Sequence, residues 1–369
     1  MNVAPINFFS KLSTPGATQF WRSRIFSLLM VILMTASSSC QPPQQPAGQP
    51  AESATRPVAE QDPISASSLT TPKPPVTATP TKEPASPVGI FDEGKFYSPV
   101  LGYDFEYTIY FPAGYKEGSR HFPVIYLLHG RGDTMYGWQT IKPDLDRLIA
   151  EGAIPPMIAV LLDVPASKRA SYFVDSEYAL EPIQGEAVET AIIQDLIPHI
   201  DSSYRTITTR TGRAIAGYSM GGYGAIRFPL AYPELFSASI ILSPAVYIPL
   251  PPDHSSARLF GAFGQGEQVF VDEIYIQKNY PALIPEFEKS GLALHAFIAV
   301  GDDEWRNPKP EDYQHDLDFE AARLYNSFVH ARYIVCQFRV LKGGHDWDVW
   351  RPALIEGLEW IGRYLDSEE

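Results

Sequence analysis

Short apolar runs alternate with segments of helical periodicity along most of this chain. Continuous apolar runs are typical of central parallel strands, which are covered on both faces; they span residues 123–128, 157–164, 238–245, 294–300 and 333–341. Between them, apolar residues at helical spacing predict covering helices, including residues 187–200, 319–330 and 352–365. Strands that alternate with helices predict a mostly parallel, doubly wound α/β sheet with helices on both faces.

Three segments depart from this pattern. Residues 105–111, FEYTIYF, alternate in polarity and predict a half-buried antiparallel strand at the edge of the sheet. Two connections, 165–182 and 246–281, are long for a compact domain. Connections of such length serve either as walls or lids of a binding site or as plain surface decoration, and the sequence leaves both readings open.

The N-terminus has the layout of an export signal. Basic residues precede the apolar run IFSLLMVILM at 25–34, and small residues then lead to Cys40. The run is shorter than the ~20 residues of a membrane-spanning helix. It resembles a bacterial lipoprotein signal, with Cys40 as the lipidated first mature residue on the outer face of the cytoplasmic membrane. Ser37 stands where such signals usually have Leu, so plain secretion and a retained anchor stay open as alternatives.

The predicted signal occupies residues 1–40. Composition and charge divide the rest of the chain into two parts. Residues 41–88 contain 12 of the 34 prolines and little aliphatic periodicity, which predicts a disordered tether. Residues 89–369 suit one α/β domain. Of the 29 Lys/Arg and 43 Asp/Glu residues, 23 and 39 lie beyond residue 88. This acidic balance argues against nucleic acid or anionic lipid as a partner of the domain.

The segment 213–227, RAIAGYSMGGYGAIR, carries the strongest chemical signal. A short apolar strand turns sharply at G-x-S-x-G and continues as a helix, which is the nucleophile elbow of an α/β-hydrolase fold. The turn would expose the Ser219 hydroxyl, and the helix N-terminus would direct free N–H groups at an oxyanion. The motif alone is weak evidence, since any Gly-rich turn between strand and helix resembles it.

Further candidate groups follow other predicted strands, where ligands gather in such sheets. His129-Gly130-Arg131-Gly132 follows residues 123–128. A Gly-rich turn there could present the Arg131 N–H opposite the Met220 N–H as an oxyanion hole. We interpret His129 as structural.

The acid and the base of a catalytic triad are expected later in the chain, because their order on this fold is Ser, acid, His. Gly301-Asp302-Asp303-Glu304 follows residues 294–300, and Gly343-Gly344-His345 follows the last strand. We take Glu304 as the acid, with Asp303 as the alternative, and His345 as the base that would accept the proton of Ser219.

Three motifs together, LLHGRG, RAIAGYSMGG and GGHDWDVWR, resemble the putative-esterase family. This family includes enterochelin, feruloyl and acetylxylan esterases, S-formylglutathione hydrolases and mycolyltransferases. The resemblance covers residues 89–369 and implies Ser219 as nucleophile, His345 as base and an acid three residues after the glycine, here Glu304. Many members have Asp at that position, so the choice between Glu304 and Asp303 stays open.

The sequence therefore predicts an exported serine esterase that uses no metal and no cofactor and acts through an acyl-enzyme. Its substrate would be a small-molecule or carbohydrate ester, such as a siderophore, feruloyl or acetyl ester. Lys168, Arg169 or Arg131 could favour an acidic acyl group or could simply be solvated. An acyltransferase of the mycolyltransferase type, a peptidase and a non-catalytic binding module are the rivals. The oligomeric state is not predicted.

Overall fold

The computed structural model describes residues 88–164 and 171–368. The predicted export signal with Cys40 lies outside the described residues, as does the tether apart from its last residue. Lys168 and Arg169 also lie outside them. All structural statements below concern the described part of the chain.

Ten strands were identified in the described residues. They are β1 (Ile90–Ser98), β2 (Tyr103–Phe111), β3 (Val124–Leu128), β4 (Ile158–Leu162), β5 (Glu177–Tyr178), β6 (Arg213–Tyr218), β7 (Ala238–Leu242), β8 (Gln265–Gly266), β9 (Leu294–Gly301) and β10 (Ile334–Leu341). Eight of them form one sheet in the order β1-β2-β4-β3-β6-β7-β9-β10, and β5 pairs separately with β8. Within this sheet, the strands β4, β3, β6, β7, β9 and β10 are parallel to one another, whereas β1 and β2 are antiparallel to their neighbours.

The α-helices of the described residues lie between these strands. They are α1 (Lys142–Ala150), α2 (Val188–Ala191), α3 (Ile197–Ser203), α4 (Met220–Ala231), α5 (Ser256–Leu259), α6 (Asp272–Lys278), α7 (Tyr280–Ser290), α8 (Leu317–His330) and α9 (Trp347–Ile361). A π-helical turn, Ile192–Leu196, joins α2 to α3 in the region predicted as one covering helix.

Both faces of the sheet are covered, which explains the continuous apolar strands. Val124, Tyr126 and Leu128 of β3 point into a core that includes residues of α4, α7 and α8. Ile125 and Leu127 point the other way, into a core with residues of α1 and α9. Because successive side chains of a strand face opposite ways, a strand with two cores must be apolar at every position. The predicted doubly wound α/β sheet is confirmed.

The prediction that residues 105–111 form an edge strand was wrong. This segment belongs to β2 and is antiparallel, but β1 pairs with it from Ile90↔Phe111 to Ser98↔Tyr103 and forms the edge instead. The edge strand escaped prediction because most of its side chains are exposed and several are charged. Exposed edge strands commonly carry charged residues, which discourage pairing with other chains.

Two further boundaries differ from the prediction. The last helix begins at Trp347 rather than Pro352, because Asp346 caps it by accepting a hydrogen bond from the Asp348 N–H at 2.9 Å. The connection 246–281 is not irregular throughout, since it contains α5, β8 and α6 and runs into α7. Among the described helices, none is long and apolar enough to cross a membrane.

Candidate active site

The sharp turn between β6 and α4 holds Ser219 in a strained conformation. Its φ of 56° lies in a region that non-glycine residues rarely adopt, and its ψ is −117°. A Cβ atom at Gly221 would collide with the Leu128 carbonyl oxygen, so only glycine lets α4 approach β3 this closely. The turn sets the serine at the end of the central strand, directly before the helix N-terminus.

Three side chains predicted from separate parts of the sequence meet at this turn. The Ser219 Oγ lies 2.8 Å from His345 Nε2, and His345 Nδ1 lies 2.7 Å from Glu304 Oε2. These residues follow β6, β10 and β9, whose carboxyl ends lie at the same edge of the parallel sheet. We call these three residues the catalytic edge.

Glu304 is almost completely buried, with 1% of its surface exposed, and is held by several donors. Besides His345, it accepts hydrogen bonds on Oε1 from Ser243 Oγ at 2.5 Å and from the Gly301 N–H at 3.1 Å. Burial by itself raises the pKa of the Glu304 carboxyl. The hydrogen bond to His345, the charge of His345 and the other two donors outweigh burial and lower the pKa. The carboxylate therefore stays ionised beside the imidazole.

Asp303, the alternative acid, lies on the surface and has a different set of contacts. Its backbone N–H donates to the Gly343 carbonyl at 2.9 Å, and the residue is exposed. The neighbouring Asp302 carboxylate accepts from the Gly343 N–H at 2.9 Å. These two aspartates tie the loop after β9 to the loop after β10, whereas Glu304 is the acid in contact with His345.

The segment after β3 forms a tight turn beside the serine. The Asp133 N–H donates to the Gly130 carbonyl at 3.2 Å and Gly132 has a φ of 78°, which defines a type II turn with Arg131 at its second position. A Cβ atom at Gly130 would lie 3.5 Å from the Ser219 Cβ, so the turn is packed against the elbow.

Arg131 and Met220 both line the cavity in front of Ser219. Met220 is the first residue of α4, so its N–H has no partner within the helix. The guanidinium of Arg131 lies over the Phe260 ring, which lines the same cavity, with its Cζ 5.9 Å from the ring centre. The backbone N–H of Arg131 stays the predicted second donor of an oxyanion site.

His129 is fully buried and does not belong to the catalytic edge. Its Nδ1 lies 2.8 Å from the Gly130 carbonyl oxygen, and its Nε2 lies 3.7 Å from Asp163 Oδ1. Burial lowers the pKa of His129, which favours the neutral ring. These contacts fit the structural role expected for this residue.

Two residues behind the catalytic edge escaped the sequence analysis. Ser243 follows β7, is fully buried and donates to Glu304, while its oxygen accepts from Trp350 Nε1 at 3.0 Å. The centre of the Trp350 ring also lies 5.0 Å from the centre of the His345 ring, and the angle between the two ring planes is 88°. A serine after a strand and a tryptophan in a helix give no sequence signal of such roles, since both occur widely for other reasons.

A cavity of about 380 Å³ opens in front of Ser219. Ser219 and His345 of the catalytic edge line it. Many of the other lining residues come from residues 245–260 and 305–317, and we call the cavity-lining residues of these two segments the outer wall. The exposed Trp305 belongs to it and stands at 5.6 Å from the His345 ring. The predicted long connection after β7 thus supplies a wall of the cavity.

No group of three or more His, Cys, Asp or Glu side chains suited to a metal ion was found among residues 88–164 and 171–368. The catalytic edge offers a different chemistry. An imidazole between a hydroxyl and a buried carboxylate can accept the hydroxyl proton, while the carboxylate fixes its tautomer and stabilises its cation. This arrangement suits nucleophilic attack on an acyl carbonyl.

Comparison with known sequences points to one family. A family model described as "Putative esterase" matches residues 98–361. An acetyl esterase of Caldicellulosiruptor saccharolyticus is 28% identical over 256 residues, covering 67% of this chain and 86% of that protein. An endo-1,4-beta-xylanase/feruloyl esterase of Xylanibacter ruminicola is 31% identical over 171 residues, covering 44% of this chain but only 22% of that protein.

Solved structures share the fold at lower sequence identity. A ferulic acid esterase has a TM-score of 0.59 and 24% identity, covering 76% of this chain and 100% of that one. An S-formylglutathione hydrolase from Agrobacterium tumefaciens has a TM-score of 0.59 and 18% identity, covering 78% of this chain and 99% of that one. These similarities confirm the α/β-hydrolase fold.

Proposed function

This chain belongs to the putative esterase family, and from that premise we propose that it is a serine esterase that hydrolyses a carboxylic ester. The observation that carries the proposal is the contact series from Ser219 through His345 to Glu304, at 2.8 and 2.7 Å. Both distances are within direct hydrogen-bond range, so a proton can pass from the serine to the imidazole without an intervening group.

In the proposed reaction, Ser219 Oγ attacks the ester carbonyl carbon while His345 Nε2 accepts the serine proton. The oxyanion that forms would be stabilised by the N–H groups of Met220 and Arg131, each worth about 3 kcal/mol in such sites. His345 then protonates the departing alkoxide, which leaves the acyl group on the serine. A water molecule, deprotonated by His345, releases the acid and restores the hydroxyl.

In this proposed cycle, Glu304 acts as a carboxylate that stays ionised throughout. Its contact with Nδ1 fixes the tautomer in which Nε2 is free to accept the serine proton, and its negative charge stabilises the imidazolium that follows. The lowered pKa of Glu304 keeps the carboxylate ionised. The substrate is proposed only as a class, a small-molecule or carbohydrate ester. The acetyl and feruloyl esterases among the relatives support this choice.

We also propose that the catalytic domain spans residues 89–369 and is exported on a Pro-rich tether, with Cys40 lipidated. The charged and apolar pattern of residues 1–40 supports this organisation. When cells are supplied with labelled palmitate, we expect the unmodified protein to incorporate the label and the Cys40→Ser variant not to incorporate it. Equal incorporation by both proteins would exclude a lipid at this cysteine.

The esterase proposal is tested with the purified protein and its Ser219→Ala variant on short-chain 4-nitrophenyl esters. We expect the variant to lose roughly a million-fold in kcat, as serine hydrolases do when the nucleophile is removed. Product analysis in the presence of an added alcohol separates hydrolysis from acyl transfer. Equal turnover by both proteins, or no turnover of any ester by the unmodified protein, would refute the proposal.

A further inference from the structure

The last residue of β6, Tyr218, contacts both ends of the turn at residues 130–133. A Cβ atom at Gly130 would lie 2.6 Å from Cε2 of the Tyr218 ring, so the first residue of the turn rests directly on that ring. At the other end of the turn, the Tyr218 hydroxyl donates a hydrogen bond to Asp133 Oδ2 at 2.6 Å. Tyr218 directly precedes Ser219 in the chain. A side chain of the elbow is therefore bound to the turn beside it.

This contact begins where the pairing of the two strands ends. β3 and β6 are parallel neighbours, and the last pair in their register is Leu128 with Gly217. Strand pairing therefore sets where the turn starts, but it does not set the position of the residues that follow. The hydrogen bond between the side chains of Tyr218 and Asp133 connects the far end of the turn to the elbow.

The Asp133 carboxylate is itself held in place. Its second oxygen, Oδ1, accepts a hydrogen bond from the Thr134 N–H at 2.8 Å. A Cβ atom at Gly137 would lie 2.4 Å from Oδ2, so a larger residue at position 137 would collide with the carboxylate. A charged acceptor also forms a stronger hydrogen bond with a hydroxyl than a neutral one does. The acceptor of the Tyr218 hydroxyl is therefore both fixed and strong.

The Tyr218 ring is equally confined. Only 2% of the residue is exposed, and the ring stacks on Trp350 with the ring centres 4.4 Å apart. The rings of Trp138 and Trp347 lie at 5.0 and 5.2 Å. Burial raises the pKa of Tyr218, and the hydrogen bond to Asp133 and the charge of that carboxylate raise it further. The hydroxyl therefore stays protonated and acts as the donor.

The position of this turn matters for the proposed reaction, because Arg131 is its second residue and carries the predicted second oxyanion donor. Such a donor acts only when it lies within hydrogen-bond distance of the place that the oxyanion reaches. A displacement of about 1 Å in a reacting site can cost roughly a hundredfold in rate. A device that fixes the turn against the elbow would therefore serve catalysis without touching the substrate.

Resting on the proposed esterase function, we propose that Asp133 and Tyr218 are positioning residues. Their hydrogen bond holds the turn at residues 130–133 against the elbow, so that the Arg131 N–H reaches the oxyanion formed at Ser219. Both residues also line the cavity, so direct contact with the substrate is the rival role. Positioning predicts a lower kcat at constant KM, whereas direct binding of the substrate predicts a higher KM at constant kcat.

The first test removes the hydrogen bond from either side. In Tyr218→Phe and in Asp133→Ala, we expect kcat on a 4-nitrophenyl ester to fall about ten- to a hundredfold, with KM within about threefold. Asp133→Asn should recover most of this loss. Its amide can accept from the Thr134 N–H and donate to the Tyr218 oxygen, so the link is kept in a weaker form.

Tyr110→Phe is the matched control. Tyr110 is fully buried in β2 and donates to Asp146 Oδ1 at 2.8 Å, and neither residue is among those that line the cavity. This variant loses the same kind of hydrogen bond, so its midpoint of thermal unfolding should fall about as much as in Tyr218→Phe. Its kcat should stay within about threefold of the unmodified protein. If Tyr218→Phe does not fold, Asp133→Ala takes its place.

The second test asks whether the effect passes through the Arg131 N–H. Arg131→Pro removes this N–H, so adding Tyr218→Phe to it should lower kcat by less than about threefold further. Losses that multiply in the double variant would overturn the inference. So would an unchanged kcat in both Tyr218→Phe and Asp133→Ala, or a rise in KM alone. Absence of hydrolysis of every ester by the unmodified protein would instead refute the proposed function on which the inference rests.

Discussion

The catalytic edge and the outer wall of the cavity are built in different ways. The three residues of the catalytic edge end a continuous series of hydrogen bonds, which runs from Trp350 through Ser243 to Glu304, His345 and Ser219. Apart from Trp350, which lies in α9, the residues of this series stand shortly after the ends of strands. On the outer wall, polar and apolar side chains come from the segments between strands and line the cavity, as Phe260 and Trp305 do.

From this contrast we expect separate roles, with the catalytic edge carrying out the proposed reaction and the outer wall determining which esters bind. Groups fixed at the ends of parallel strands keep the geometry that proton transfer requires, because the sheet and its two cores hold them. Groups on the connecting segments can differ between relatives without disturbing the sheet. Substitutions on the catalytic edge should therefore reduce turnover of every ester, and those on the outer wall should change the preference among esters.

The largest effect after loss of the nucleophile is expected at the acid. Glu304→Gln should lower kcat by about ten thousand-fold, because an amide no longer enforces the required imidazole tautomer. Asp303→Asn should stay within about threefold, since this side chain is exposed. Steady-state kinetics on one 4-nitrophenyl ester compares the two variants. A greater loss in Asp303→Asn would mean that the wrong acid was chosen.

The backbone N–H of Arg131 allows a selective test of the oxyanion site. Proline is favoured at the second position of a type II turn, so Arg131→Pro should keep the turn while removing the N–H. We expect a loss of about a hundred- to a thousand-fold in kcat. Arg131→Ala retains the N–H and should stay within about threefold. Comparable rates for the proline and alanine variants would place the second donor elsewhere.

Ser243→Ala should have the smallest effect of the three. It removes a single neutral donor from Glu304 and the acceptor of Trp350 Nε1, and we expect roughly a tenfold loss in kcat with little change in KM. Ser202→Ala, at an exposed serine of α3, is the control. A rise in KM at constant kcat would assign Ser243 to substrate binding and contradict its role behind the acid.

The sequence predicts those features of the fold whose signal lies within one short segment of the chain. Apolar runs identified the central strands because burial on both faces requires them, and the elbow is visible because its glycines are needed for close approach of α4. β1 was missed because an exposed edge strand carries charges, as at Asp92, Glu93 and Lys95. The helices within 246–281 were missed because α5 and α6 are only four and seven residues long.

Residue choices within the site depend on the packing of distant segments. Glu304 and Asp303 are neighbours of similar chemistry, and only the depth of each side chain separates them. Ser243 and Trp350 lie 107 residues apart and meet only in the folded chain. No spacing in the sequence reveals such contacts.

The central claim, that Ser219 is a nucleophile activated by His345, is tested most directly by covalent labelling. The folded protein is treated with a fluorophosphonate ester, and the modified residue is located by peptide mass spectrometry. We predict one adduct per chain, on Ser219, and no adduct in Ser219→Ala. An adduct on a different residue, or an active protein that acquires no adduct, would contradict the account.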